Sequence, residues 1–162
     1  MARIYLGLGS NIDARHNLQM GIRELESRYG ELSVSPIYQS RAVGFEGPDF
    51  LNLVVGCSTD SSPDEVHEAI EAIHRKAGRK RGEEKFASRP LDIDLLLYDD
   101  LVIAEPPLRL PRSDVLEYSF VLRPLAELAP DLVHPVTGKT MAEHWEGYDA
   151  EAMPLTPVSR IL

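Results

Sequence analysis

The sequence predicts an α+β fold in which helices cover an antiparallel sheet, in the ferredoxin-like split βαβ order, with helical additions at the C-terminal end. Short segments with alternating apolar residues and longer segments with helical apolar spacing follow one another as β-α-β-β-α-β. The chain has 162 residues, a length typical of one domain, so we expect residues 1–162 to fold as a single unit.

The first half of the chain contains one predicted helix and three predicted strands. They are a strand over 2–8, a helix over 14–29, and strands over 32–38 and 50–58. Asp13 is expected to cap the helix and Gly30 to end it. Gly7 and Gly9 form a Gly-x-Gly without a third glycine, which indicates a tight turn before the helix rather than a dinucleotide loop. The connection over 40–49 is long enough to be functional.

The second helix has clear start and stop signals. Ser62-Pro63-Asp64-Glu65 predicts a capping box, and Gly78 is expected to end the helix. His67, Glu71 and His74 lie on one flank of its apolar stripe. This spacing could suit a metal, but it favours a solvated helix flank. Further on, 101–103 is predicted as a short strand and 120–130 as an apolar helix that contains Pro124.

Two carboxylates interrupt the most apolar predicted strand of the chain, at 91–98, between Pro90 and Asp99-Asp100. Asp92 and Asp94 are two residues apart, so on a strand they face the same side, within about 7 Å of each other. Ile93, Leu95 and Leu97 are expected to alternate with them on the core side. Such a pair repels unless a cation lies between them or one carboxyl is protonated, and Mg²⁺ is the natural oxygen-ligated cation. Two solvent-facing aspartates at a strand start are the alternative.

A basic segment precedes the aspartate strand. Its cations are Arg75, Lys76, Arg79, Lys80, Arg81, Lys85 and Arg89, opposed only by Glu83 and Glu84. Cations beside a carboxylate pair suit a metal-bound polyphosphate, and we expect the segment to close over bound nucleotide. A solvated charge run is the alternative, but it would not explain the position of the segment.

Composition narrows the classes of partner. The net charge is −9, with 26 acidic and 17 basic residues, which argues against a nucleic-acid or anionic-membrane surface. The single cysteine, Cys57, cannot form an internal disulfide and suits a reducing, cytoplasmic compartment. The sequence has neither a signal-like N-terminus nor an apolar run of about 18 residues, so we expect no membrane span.

The ordered motifs resemble those of the 6-hydroxymethyl-7,8-dihydropterin pyrophosphokinase family of folate biosynthesis. The resemblance covers most of the chain. It is carried by Leu8-Gly-Ser-Asn11, Phe50-Leu-Asn52, Gly78-Arg79, Arg89-x-x-Asp92-Ile-Asp94-Leu-Leu and Phe120-Val-Leu-x-Pro-Leu. It implies transfer of the β,γ-pyrophosphoryl group of ATP to the pterin hydroxymethyl oxygen, with release of AMP and with two Mg²⁺ ions.

The resemblance also implies roles for particular residues. Asp92 and Asp94 would hold the metal ions, and with Arg79 and Arg89 they would form the catalytic set. ATP would contact Glu71, His74, Arg79, Arg81, Arg89, Arg109, Arg112 and Ser113. The pterin would contact Ser40, Val43, Phe50, Asn52 and Phe120, with the two phenylalanines on either side of the ring.

The departures from the family pattern fall on the ATP side. Pro111-Arg112-Ser113 stands where the family often has Pro-His-x, Tyr118 where it often has arginine, and His74 where a carboxylate is common. Arg109, Arg112 and Arg123 are candidates to compensate, since an arginine fork can bind phosphate wherever it reaches.

The expected partners are ATP and 6-hydroxymethyl-7,8-dihydropterin, with no nucleic acid, no membrane and a monomeric chain. Two alternatives stay open at this point. One is a divergent paralogue that binds pterin or a nucleotide without the transfer activity. The other is a ferredoxin-like module that binds RNA or a protein through the basic segment, although the acidic charge and the few aromatics argue against RNA.

Overall fold

A computed structural model of the chain describes residues 1–78 and 88–159. The strands are β1 (Ala2–Ser10), β2 (Ser33–Val34), β3 (Ile37–Ser40), β4 (Phe50–Thr59), β5 (Asp92–Tyr98) and β6 (Thr156–Val158). The helices are α1 (Ala14–Tyr29), α2 (Pro63–Lys76), α3 (Asp114–Glu117), α4 (Ser119–Leu128) and α5 (Met141–Glu146).

The strands form one antiparallel sheet in the order β5-β1-β4-β3-β6, and β2 pairs with β4 beside β3. The predicted α+β class with an antiparallel sheet is confirmed. The strand order is compatible with the predicted ferredoxin-like pattern, because β1 and β4 are central and the strands that follow the two helices lie outside them.

Helices cover both faces of the sheet. On one face, α1 and α2 contribute Leu18, Ile22, Leu25, Val66, Ile70 and Ile73 to a core with alternate residues of β1, β4 and β5. On the other face, α3, α4 and α5 contribute Val115, Val121, Leu122, Leu125, Ala126 and Met141 to a second core with Tyr5, Val54, Leu96 and Leu97. Helices α3, α4 and α5 leave one end of this face of the sheet uncovered, and the candidate site lies there.

The two long helices begin differently from one another. The capping box of α2 is confirmed: Glu65 N–H donates to Ser62 Oγ over 3.2 Å, and Ser62 N–H donates to Glu65 Oε1 over 2.9 Å. The prediction that the Asp13 side chain caps α1 was wrong. Asp13 adopts a left-handed conformation with φ 44°, and its side chain makes no capping hydrogen bond. Gly30 ends α1 as predicted, with φ 80°.

Two sequence predictions of strands need correction, and one strand was missed. The strand predicted over 32–38 is two short strands, because Ser35 bonds Val54 through backbone and side chain while Pro36 has no N–H to donate. The segment 101–103 contributes only an isolated bridge, Ile103 with Leu110. The edge strand β6, which pairs with β3, was not predicted.

A register shift places Leu97 on the unexpected face of β5. Tyr5 pairs with Leu97 and Leu6 with Leu95, so Leu96 is an extra residue in the ladder. This β-bulge reverses the alternation after Leu95, and Leu97 therefore packs with the α3–α5 core rather than with Ile93 and Leu95. Asp92 and Asp94 precede the bulge and keep the predicted common face.

Among the described residues, no helix is both long enough and apolar enough to cross a bilayer.

Candidate active site

A cavity of about 1030 Å³ opens at the uncovered end of the α3–α5 face. Its floor is the sheet, and its walls come from the loop after β3 and from the segment between β5 and α4. Most of the predicted site residues line it: Ser40, Val43, Phe50, Asn52, Arg89, Asp92, Asp94, Arg109, Arg112, Ser113 and Phe120. Residues predicted for the pterin and for ATP therefore share one cavity.

The other four residues predicted for ATP fall into two pairs. Arg79 and Arg81 lie outside the described residues, as does most of the basic segment whose closure is predicted. Glu71 and His74 are described, but they lie on the last turns of α2 and do not line the cavity.

The pairing of three strands aligns the polar groups of the floor. Gly9 of β1 pairs with Asp92 of β5 on one side and with Asn52 of β4 on the other. Directly paired residues of antiparallel strands project to the same face. A carboxylate and an amide thus flank a position with no side chain. Two residues earlier in β1, Gly7 pairs with Asp94 on one side and with Val54 on the other.

The two glycines therefore lie inside β1, not in the predicted tight turn. A Cβ atom built on Gly9 would lie 3.1 Å from Asn52 Oδ1 and 3.7 Å from Phe50 Cδ2. Glycine at this position keeps the floor of the cavity open between the amide and the carboxylate. The Gly-x-Gly pattern was the sequence signal for this feature, but it was assigned to a turn.

Asn52 is buried and held in one orientation. Its Nδ2 donates to Ser40 Oγ over 2.8 Å and to the Tyr38 carbonyl over 3.3 Å. Both amide hydrogens are therefore used within the protein, while Oδ1 is directed over Gly9. The side chain presents a hydrogen-bond acceptor to the floor of the cavity.

Aromatic rings stand on two sides of this floor. Phe50 packs edge-on against Phe45, with ring centroids 6.3 Å apart. Phe120 stacks on Tyr118, with centroids 4.9 Å apart and an interplanar angle of 13°. All four rings line the cavity. Tyr118 was expected on the ATP side, whereas Phe45 was not predicted as a lining residue and lies in the loop whose length suggested a function.

The backbone of Arg89 is tied to the end of β1. Asn11 Oδ1 accepts the Arg89 N–H over 2.7 Å, and Asn11 N–H donates to the Arg89 carbonyl over 3.1 Å. Ser10 Oγ donates to the Pro90 carbonyl over 2.6 Å. The Leu8-Gly-Ser-Asn11 stretch thus fixes the chain just before the aspartate strand, and Arg89 is 5% exposed there.

Arg112 lies among carboxylates. Its Nη2 is 3.5 Å from Asp94 Oδ1, and its Nε is 3.3 Å from Asp114 Oδ1. Burial opposes the charged form of Arg112, but Asp94, Asp114 and Asp92 outweigh it and hold the pKa of the guanidinium above its ordinary value. The cation therefore balances charge at the carboxylate pair.

His74 supports the aspartate strand from the opposite side. Its Nε2 accepts the backbone N–H of Ile93 over 2.9 Å, which places the ring proton on Nδ1, 3.6 Å from Glu71 Oε1. Only 4% of His74 is exposed, so the predicted solvated flank was wrong at this residue. Ile93 lies between the two aspartates, so this contact fixes the backbone that carries them.

The lining of the cavity also differs from the sequence prediction at other residues. Arg41, His134 and Val136 line it without having been predicted. His134 is buried, and burial together with His144 lowers the pKa of its imidazole. Arg123, a candidate for phosphate, instead lies over the Tyr38 ring at 4.5 Å and does not line the cavity.

The aspartate pair suits a hard cation that also binds a substrate. Within the ranges 1–78 and 88–159, no three metal-ligating side chains cluster. Two carboxylates on one face are the ligand set with which Mg²⁺ is held when substrate phosphates and water complete its shell. The bare backbone at Gly9 leaves space beside Asp92, whereas the Leu96 side chain packs over Gly7. The residues present therefore fit magnesium.

Comparison with known proteins decides the family. Residues 5–130 match the family model described as 7,8-dihydro-6-hydroxymethylpterin-pyrophosphokinase. The chain belongs to this family. The resemblance seen in the sequence motifs is thereby confirmed.

Full-length relatives and solved structures agree with this membership. The chain is 37% identical to 2-amino-4-hydroxy-6-hydroxymethyldihydropteridine pyrophosphokinase of Aquifex aeolicus, covering 88% of this chain and 90% of that one. It is 40% identical to the Synechocystis protein of that name, covering 94% and 80%. A Plasmodium falciparum HPPK-DHPS structure with pterin and p-hydroxybenzoate shares the fold, with TM-score 0.76 and 16% identity, over 93% of this chain and 43% of that longer one.

Proposed function

We propose that this member of the family transfers the β,γ-pyrophosphoryl group of ATP to the hydroxymethyl oxygen of 6-hydroxymethyl-7,8-dihydropterin, in folate biosynthesis. The observation that carries the proposal is the row across the sheet from Asp92 through Gly9 to Asn52. Two strand spacings, about 10 Å, separate the carboxylate from the amide. A flat bicyclic ring with a one-carbon arm can bridge that span and bring its hydroxyl to the aspartates.

The pterin half of the site would recognise the ring by a hydrogen-bond acceptor and by stacking against aromatic side chains. The Oδ1 of Asn52 suits the amino and ring N–H groups of a pterin, which are donors. We propose that Phe50 and Phe120 enclose the ring, since offset stacking suits a flat heterocycle. Ser40 orients Asn52 by accepting its amide hydrogen, and Val43 adds an apolar wall.

The ATP half holds the phosphates by charge. Asp92 and Asp94 would hold two Mg²⁺ ions, which when bound neutralise the phosphate oxygens and the charge that develops on departing AMP. Arg89 and Arg112 line the cavity together with the aspartates, and Arg109 and Ser113 are exposed lining residues. Arg79 and Arg81, outside the described residues, are proposed for the same task.

The bond changes need no protein nucleophile. The pterin hydroxyl oxygen bonds to the β-phosphorus, and the bond from that phosphorus to the oxygen shared with the α-phosphate breaks. AMP leaves with the bonding electrons, and the hydroxyl proton passes to water. The chain supplies positioning and charge, the two contributions on which phosphoryl transfer depends most.

Glu71 and His74 take a different place in this proposal from the one predicted. His74 acts on the site through the Ile93 backbone, and Glu71 faces the other ring nitrogen of His74. We therefore propose them as supports of the aspartate strand.

We also propose that the chain acts as one domain and as a monomer in the cytoplasm. Both cores share one sheet, which suits a single domain. The single cysteine, Cys57, is buried, which suits a reducing compartment. Sedimentation at several protein concentrations tests the monomer, and a concentration-dependent mass would contradict it.

The activity is tested by measuring AMP formed from ATP. We expect AMP only when 6-hydroxymethyl-7,8-dihydropterin and Mg²⁺ are both present, and none after chelation with EDTA. Pterin binding by calorimetry, without AMP formation and without any effect of an ATP analogue, would instead support a paralogue that has lost the transfer. Salt-sensitive binding of single-stranded RNA would support the binding-module alternative, which family membership does not favour.

A further inference from the structure

Arg112 places a fixed positive charge at the carboxylate pair. Its guanidinium reaches Asp94 at 3.5 Å and Asp114 at 3.3 Å, and Asp92 lies within its electrostatic influence. The guanidinium therefore offsets negative charge at the carboxylate pair that is proposed to hold the metal. The interaction with Arg112 thus lowers the repulsion between the carboxylates of Asp92 and Asp94 when no metal is bound.

The backbone holds Arg112 at this place. Its N–H donates to the carbonyl of Leu96 over 2.9 Å, two residues beyond Asp94 on the same strand. The side chain itself is 42% exposed and that of Asp94 is 29% exposed, so the pair lies at the open wall of the cavity. The anchor is rigid, whereas the guanidinium has room to turn toward a ligand in the cavity.

A guanidinium and a magnesium ion at one carboxylate oppose each other. Both are cations, and both satisfy the same oxygen atoms. A triphosphate removes the conflict, because it brings negative charge that binds the metal and accepts hydrogen bonds from an arginine fork.

We propose that Arg112 is a built-in counterion that weakens metal binding to the free chain and turns to the phosphates when metal and nucleotide arrive together. The inference rests on the proposed function, since it takes Asp92 and Asp94 as the metal ligands. Metal and nucleotide then bind cooperatively, and the chain takes up metal mainly with ATP. The arginine at position 112, where the family often has histidine, would then serve as this counterion.

The test is metal binding measured with and without nucleotide. Mn²⁺ alone is titrated into the purified chain and followed by electron paramagnetic resonance, then again with α,β-methylene ATP present. For Arg112→Gln we expect binding of Mn²⁺ alone to tighten by about tenfold and binding of the Mn²⁺-bound analogue to weaken by a similar factor. The charge-matched control is Arg15→Gln, at an exposed arginine of α1, which we expect to change the affinity for Mn²⁺ alone by less than about twofold, because α1 packs on the face of the sheet opposite the cavity.

Two outcomes would overturn the inference, and they are distinguishable from failure of the proposed function. Unchanged affinity for Mn²⁺ alone in Arg112→Gln would refute the counterion role. Tighter Mn²⁺ binding both with and without the analogue would refute the transfer of Arg112 to the phosphates. If no variant, nor the unaltered chain, binds Mn²⁺ even with the analogue, the metal site itself is wrong and the proposed function fails with it.

Discussion

At the scale of single residues, the site combines charged side chains with neighbouring glycines that carry no side chain. Asp92 and Asp94 supply like charges on one face, and Gly7 and Gly9 supply bare backbone beside them. The carboxylates were predicted from their spacing, because strand geometry by itself puts residues i and i+2 on one side. The role of the glycines depended on which strands lie next to β1, and spacing does not contain that information.

The aspartates give the first residue-scale prediction. Asp92→Asn and Asp94→Asn should each lower the rate of AMP formation by about three orders of magnitude, because a metal contributes several kcal/mol to stabilising the transition state. The matched control is Asp100→Asn, an exposed carboxylate beyond the strand, which should keep full activity. An active variant at either site would refute the metal assignment.

Gly9 gives the second residue-scale prediction. Gly9→Ala would place a methyl group 3.1 Å from Asn52 Oδ1, in the space proposed for the ring. Overpacking of this kind costs about 1–3 kcal/mol, so pterin binding should weaken by about tenfold to a hundredfold in calorimetry.

Gly7→Ala is the comparison for the Gly9 variant. Its added methyl would meet Leu96 at an ordinary 3.4 Å, so its loss of pterin affinity should be smaller. Equal losses in the two variants would show that the effect comes from β1 as a whole and not from occlusion beside Asn52.

At the scale of elements, α2 and β5 are joined at the point where the site needs rigidity. β5 is an edge strand, and His74 provides an acceptor for the Ile93 N–H that the sheet leaves unpaired on that side. The sequence correctly predicted where α2 starts, because a capping box is a local signal. It did not predict that His74 is buried, since that depends on where β5 packs.

His74 gives the element-scale prediction. His74→Leu leaves the buried Ile93 N–H without its acceptor and should lower the free energy of unfolding by about 1–3 kcal/mol in urea. It should also weaken Mn²⁺ binding measured with an ATP analogue, because the backbone between the aspartates loosens.

His74→Gln retains an acceptor and is the matched control. It should recover a large part of both the stability and the Mn²⁺ affinity lost in His74→Leu. If His74→Leu loses stability but keeps normal Mn²⁺ affinity, His74 supports the fold alone and does not position the carboxylates.

At the scale of the whole molecule, one sheet separates two cores and the site lies where the second core stops. The groups with lowered pKa values connect this fold to pH. Hydrogen bonds from Ser62 and Thr140 lower the pKa of Glu65 and Glu143, respectively. Burial, and to a smaller extent the charge of nearby His144, lowers the pKa of His134. In each case the unfolded chain binds a proton more readily than the folded chain does, so acid favours unfolding.

The whole-molecule prediction is a loss of stability on acidification in two ranges. Below about pH 6.5, the unfolded pKa of histidine, the unfolded chain gains a proton on His134 before the folded chain does. Below about pH 4.5 the two glutamates add their contribution. Urea unfolding should therefore give a lower free energy of unfolding at pH 5.5 than at pH 7.5.

His134→Asn should reduce the difference between pH 7.5 and pH 5.5. The control is His16→Asn, which removes an exposed histidine and should leave the difference as it was. An unchanged pH dependence in His134→Asn would show that His134 is not the group responsible.

Local patterns in the sequence were enough to predict the β-α-β-β-α-β order of the main elements, the boundaries of the two long helices, the family motifs and the common face of Asp92 and Asp94. These properties depend on residues close together in the chain, through helical periodicity, strand alternation and capping. Four features became visible only in the folded chain: Gly9 lies between Asp92 and Asn52, His74 binds the Ile93 backbone, a bulge at Leu96 reverses the face of Leu97, and Arg112 reaches Asp94. Each of these joins strands, helices or loops distant in sequence, and strand order and register, which no local pattern encodes, bring them together.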